Sequence, residues 1–147
     1  MPEHDLIREF FMCASKLLDA GVVRSDKLLG DIGEWLCVQQ YGLLLEKSGR
    51  HPGYDGTIGE SRVQVKVHNS PEGTNLNVGN PARYDELIVV LGPRSRLRVS
   101  AELCAFHIYR FSSPEVFSLM KRKSGYYCAK KIFASADPDF LSIESML

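Results

Sequence analysis

The sequence predicts an α/β fold, a mixed central β-sheet flanked by helices, on three observations. Two stretches with helical apolar spacing come first, over 5–20 and 25–41. A strand of strict period two follows over 61–68, just after a Gly-first turn. A continuous apolar run, Glu-Leu-Ile-Val-Val-Leu, then fills 86–91, as in a central strand buried on both faces. The order helix, helix, hairpin, strand, further strands, helix suits a sheet with helices on its faces.

The first helix gathers Leu6, Ile7, Phe10, Phe11, Ala14, Leu17 and Leu18 on one side, and Gly21 is its stop. Its expected role is structural, packed over the sheet or the second helix. Ser25 is read as the N-cap of the second helix, which runs to about Tyr41 and stops at Gly42. Leu28, Leu29, Ile32, Trp35 and Leu36 form one face, and a second stripe holds Gly30, Glu34, Cys37 and Tyr41. An interior glycine costs a helix about 1 kcal/mol against alanine. Gly30 and Gly33 beside a carboxylate therefore imply a close approach, for instance to the hairpin backbone. Such an approach aims Glu34 at Asp55; the alternative is an ordinary solvated glutamate.

Residues 43–52 read as a connection with a short strand at its start. Asn69 to Arg83, rich in Asn, Gly and Pro, reads as a long loop at the rim of the hairpin's outer face. Arg96–Ser100 and Cys104–Phe111 read as strands. Ser113 and Pro114 read as the start of a helix, Ile132-Phe133 as a short edge strand, and 137–147 as a terminal turn or helix.

The chain has 147 residues, which suits one domain over 1–147 with one core. No apolar run approaches the roughly 18 residues of a membrane span, and Met-Pro-Glu-His-Asp lacks the pattern of a signal peptide, so a cytoplasmic protein is expected. The 18 basic and 18 acidic residues cancel, which weighs against tight binding to nucleic acid by charge alone. Two local basic clusters remain as a candidate nucleic-acid face: Arg94, Arg96, Arg98, and Lys121, Arg122, Lys123, Lys130, Lys131. Cys13, Cys37, Cys104 and Cys128 lack zinc-site spacing and read as reduced, mostly buried thiols.

The chemistry concentrates in Gly53 to His68. Val63, Val65 and Val67 share one side of the strand; Arg62, Gln64, Lys66 and His68 share the other. Gly59-Glu60 has the form of a type II′ turn. With a two-residue loop, Asp55 lies directly across from Gln64, with Lys66 two residues further along the same face. A three-residue loop would set Asp55 opposite Val65 instead. The Asp55 carboxylate, the Gln64 amide oxygen and the Val65 backbone carbonyl are hard oxygen donors suited to Mg²⁺ or Mn²⁺. Lys66 beside them can orient an attacking water or stabilise charge on a phosphate. The plainer reading is a hairpin whose outer face is solvated.

Asp55 followed by Gln64-Val65-Lys66 resembles the motif of the PD-(D/E)XK nuclease superfamily, the restriction-endonuclease-like fold, over roughly Ser25 to Leu91. Its Mrr-like branch likewise carries Gln in place of the acidic residue. The proline before the aspartate is absent, Gly53-Tyr54 standing there, with Pro52 nearby. The resemblance implies a restriction-endonuclease-like core and a Mg²⁺-dependent (or Mn²⁺-dependent) endonuclease acting on nucleic acid, DNA first. Asp55 would be the main metal ligand, Gln64, Glu34 and the Val65 carbonyl would assist, and Lys66 would serve catalysis. Glu34 matches the helical glutamate found in many members. A partner protein or a homodimer could supply target choice. Two alternatives remain: a catalytically inactive module of that fold binding protein or nucleic acid, and an unrelated α+β domain.

Overall fold

A computed structural model describes residues 2–47, 53–99 and 105–142. Helices α1 (Pro2–Asp19) and α2 (Leu28–Tyr41) precede the short strands β1 (Leu44–Leu45) and β2 (Gly56–Ile58). Then come β3 (Ser61–His68), β4 (Asn75–Asn77), a 3-10 turn (Pro81–Arg83), β5 (Glu86–Leu91) and β6 (Ala105–Ser112). Helix α3 (Ser113–Leu119), β7 (Lys121–Arg122), β8 (Gly125–Ala129), α4 (Lys130–Ala134) and β9 (Asp139–Ser142) complete the order. The fold is mixed α/β, as the sequence predicts. Its main sheet has six strands in the order β1-β2-β3-β5-β6-β9. β3 and β5 are parallel and the other neighbours antiparallel.

Helices cover both faces. Leu36 and Cys37 of α2 pack on Val63, Val65, Ile88 and Val90, while Val116 of α3 and Phe133 of α4 pack on Leu87, Val89 and Tyr109. Leu87 through Leu91 are fully buried, so the apolar run of β5 is the central strand expected of it. Gly33 is the point where α2 meets β3: a Cβ there would collide with Cγ2 of Val67. At Gly30 a Cβ would meet nothing, so only one of the two glycines answers to close approach. Cys37 and Tyr41 belong to the packed side, and Glu34 sits at its margin. Arg110 stacks 4.5 Å over the Tyr41 ring and pairs with Glu86, and the Tyr41 hydroxyl donates to Asp139 at 2.6 Å. These contacts fix the end of α2 against β5, β6 and β9.

Several local expectations give way. Ser25 is not the cap of α2; Lys27 holds that position without a side-chain bond. Asp31, inside the first turn, accepts from the Arg24 and Ser25 amides, both at 2.8 Å, and from Ser25 Oγ at 2.9 Å. Helix α3 is capped by Ser112 rather than Ser113, through a capping box with Glu115. Ile132 and Phe133 lie in α4, and 139–142 form β9 on the edge of the main sheet. The long loop contains β4, which pairs with β8 in a second sheet, β4-β8-β7. Residues 96–99 form no strand; Pro52, Ser100, Cys104 and 143–147 lie outside the described residues. Cys37 and Cys128 are buried and Cys13 is exposed. Among the described residues no helix is long and apolar enough to cross a membrane.

Val65 is 8% exposed within the α2-facing core. Val65→Ala should cost about 1–3 kcal/mol through lost burial and a residual cavity. Chemical denaturation checks the value, and a loss of function with unchanged stability would contradict a purely structural side chain.

Candidate active site

The site begins with the turn. Ile58 pairs with Ser61, Thr57 with Arg62 and Gly56 with Val63, so the loop is the two residues Gly59 and Glu60. Gly59 has φ 59° while Glu60 does not have a positive φ, which fits type II′ rather than I′. The ladder stops at Gly56. The Asp55 amide donates to the Val63 carbonyl at 2.8 Å, the residue already paired with Gly56. Two residues thus oppose one, a β-bulge, and Asp55 is not directly across from Gln64 as simple register requires. Its Oδ2 accepts the Val65 amide at 2.7 Å, so the carboxylate lies against the edge of β3 rather than on one flat face.

The bulge leaves β3 open beyond Val63. Arg62 and His68 turn their carbonyls to the β5 side, accepting from the Asp85 and Gly92 amides. Val63 and Val65 turn theirs the other way, by strand alternation. The Val65 carbonyl therefore faces the open edge beside Asp55.

Glu34 comes to the same edge from α2 and shares a side-chain hydrogen bond with Asp55. Two carboxyls this close disfavour each other's ionisation, so the pair holds a proton more readily than either group alone. Burial first, and then the Asp55 charge, push Glu34 up to about 7, against partial relief from Arg24. Asp55 is also raised, by burial, although the Val65 amide and the Lys66 ammonium pull it back. Glu34 and Asp55 thus face one cleft, as the sequence expects.

Asp55, Glu34, Gln64, Val65 and Lys66 all line one cleft of about 730 Å³. Neither Gln64 nor Lys66 is engaged by a side-chain hydrogen bond among the described residues, leaving both free for a ligand. His68 is not part of the group. It is buried, with Nδ1 2.7 Å from Ser95 Oγ, and ties the end of β3 to the following loops.

Arg24, Lys27 and Lys47 also line the cleft and were not singled out by sequence reasoning. Arg24 reaches Glu34 at 3.4 Å and the Glu46 carbonyl at 3.3 Å. The signal for them was a polar connector, Arg24-Ser25-Asp26-Lys27, just ahead of the Glu34 helix. Neither of the two basic clusters picked from the sequence lines this cleft. Arg98 instead braces its own loop, bonding the Gly92 carbonyl and His107.

Oxygen donors of this kind fit Mg²⁺ or Mn²⁺. Glu34 and Asp55 are brought together at the cost of ionisation, a repulsion that a bound cation would relieve. Among the described residues no group of three or more His, Cys, Asp or Glu could hold a metal, so an ion here would rely on two carboxyls, neutral oxygens and water. Mg²⁺ tolerates such a set because it keeps several waters. Burial pushes the Cys37 and Cys128 thiols up to about 12, which makes thiolate chemistry the wrong class for either. A comparison with protein-family models gives no match for the chain, and a comparison with curated proteins gives none either.

Proposed function

We propose that this protein is a Mg²⁺-dependent (or Mn²⁺-dependent) nuclease hydrolysing phosphodiester bonds, in DNA first, of the PD-(D/E)XK type. The observation that carries the reading is the Glu34–Asp55 carboxyl pair at the open edge of β3, in a cleft that also holds Lys66. Asp55, Glu34, the Gln64 amide oxygen and the Val65 carbonyl would hold the metal. When bound, such an ion acidifies a water and offsets charge on a phosphate. Arg24, Lys27 and Lys47 supply cationic groups for neighbouring phosphates. Lys66, closest in sequence to the donors, orients the attacking water and stabilises charge on the phosphoryl oxygens. The protein's contribution is mainly positioning and electrostatics.

The second reading is a catalytically inactive nuclease-fold module that binds protein or nucleic acid. Gln64 in place of an acid favours it, since the cleft's metal donors then include two carboxyls rather than three. Incubation with plasmid and single-stranded DNA in Mg²⁺, Mn²⁺ or EDTA separates the two. Metal-dependent cleavage supports the enzyme; metal-independent binding without cleavage supports the module.

The raised proton affinity of Glu34 gives this reading a pH dependence. Glu34 must ionise before both carboxylates can serve, and its pKa is pushed up to about 7. Mn²⁺ affinity should rise by about tenfold per pH unit below that value, where binding releases one proton, and level off above it. Glu34→Gln should flatten the profile. Without metal the sign reverses. A folded pKa raised from 4.5 means the fold holds the proton more tightly than the unfolded chain. That contribution is complete below about 4.5 and is lost as pH rises through about 7. Titrations and melting curves at several pH values check both.

A further inference from the structure

We infer that the protein self-associates through α1, which pairs antiparallel with the α1 of a second copy. The inference is independent of the nuclease reading. Helix α1 has no buried residue. Leu6 and Phe11 are each 64% exposed, and Ile7, Phe10 and Leu18 are more than half exposed. At 100° per residue these five fall with Ala14 and Leu17 in one arc. An apolar groove of about 650 Å³ runs beside this helix, lined by Phe10, Ala14 and Leu17 with Leu28, Leu29 and Ile32 of α2. A lone helix of this length is marginal in water, so the face needs a cover.

Area points to a second copy, and the acidic first turn to its orientation. The exposed parts of those apolar side chains come to roughly 500–600 Å², and a two-fold contact counts them twice, near the lower bound of specific interfaces. Antiparallel pairing keeps the two acidic first turns apart, about a centre near Met12, the midpoint of the apolar stretch from Leu6 to Leu18. Parallel pairing would instead set the acidic first turns, with Glu3 and Asp5, side by side. Two-fold closure stops the association at a dimer. A membrane surface is a poorer cover, because the polar side of α1 carries Arg8 and Lys16 among Asp5, Glu9 and Asp19, unlike the basic face of interfacial helices.

The test is sedimentation equilibrium of the full chain across the micromolar range. Wild type should be a dimer, and Leu6→Glu/Phe11→Glu should weaken association at least about a hundredfold. The melting temperature of the protein body should hold in that variant, since neither side chain belongs to a core cluster. If the double variant aggregates, Ile7→Lys/Leu18→Lys tests the same face. A monomeric wild type overturns the inference, whether α1 is then covered by another segment of its own chain or binds anionic lipid vesicles. A dimer that survives both apolar variants overturns it as well.

Discussion

Replacing Lys66 by alanine should lower phosphodiester cleavage by on the order of a hundredfold or more, the usual cost of removing a preorganised stabiliser of transition-state charge. The same change should leave metal binding intact or tighter. Lys66 lines the cleft and acts electrostatically on Asp55, so it repels any cation that Asp55 attracts. Two opposing effects follow on Asp55 itself: loss of the ammonium raises its proton affinity and removes that repulsion. Near and above neutral pH the second should win, because the Val65 amide still donates to Asp55 Oδ2 and favours its ionised form. Fold disruption is not expected, since Lys66 is outside both core clusters. A Mn²⁺ titration beside a cleavage assay measures the split. Cleavage equal to wild type would mean that any nuclease activity lies elsewhere and that this cleft is not its site.

The β3 strand and the central role of 86–91 were legible because burial leaves a periodic trace. Val63, Val65 and Val67 alternate with polar residues, and β5 is apolar from Leu87 to Leu91. Short elements were not legible. Ile132-Phe133 reads equally well as strand or helix over two residues, and only packing against Tyr109 and Phe111 settles it as α4. The Ser112 cap was displaced by one from the residue chosen, because Ser112 and Ser113 are adjacent and only Ser112 stands three before Glu115. The Gly59 turn set the register from Ile58–Ser61 to Gly56–Val63 but could not announce the bulge beyond it, where β1 places Leu45 opposite Gly56.

In the site, sequence spacing brought Asp55, Gln64 and Lys66 onto the right hairpin, and the second helix supplied Glu34. What spacing could not supply was the raised proton affinity of Glu34 beside Asp55. That depends on burial, and burial depends on Gly33 letting α2 settle on Val67. Arg24 was equally out of reach. Its place follows from Asp31 gathering the 24–25 backbone and from the Glu46 carbonyl accepting its guanidinium, contacts 7 and 22 residues apart. The basic clusters were misleading for the opposite reason: charges close in sequence are conspicuous, yet the cleft's own cations come from separate segments.

Asp55→Asn should weaken Mn²⁺ binding by at least ten- to a hundredfold, the range found even for lost supporting partners of a metal site, and should take cleavage to background. The substitution is nearly isosteric. An asparagine carbonyl can still accept the Val65 amide, so the open edge of β3 should keep its shape. What goes is the charge. Glu34 would then ionise more readily, because the Asp55 charge and the shared bond no longer hold its proton. One carboxylate would remain, and the pH profile of residual binding should move to lower pH. Gln64→Glu is the complementary change. It adds a third carboxyl to the donor set of Asp55 and Glu34, which should keep or raise metal affinity while deepening the repulsion in the metal-free protein. The pair of variants separates the two proposed functions. An enzyme should lose binding with Asp55→Asn and retain it with Gln64→Glu. An inactive module should show no metal binding in the wild type, and an affinity that appears only with Gln64→Glu would identify the glutamine as the residue that silenced the site. If neither wild type nor Gln64→Glu binds metal or cleaves any substrate, the cleft is not a metal centre.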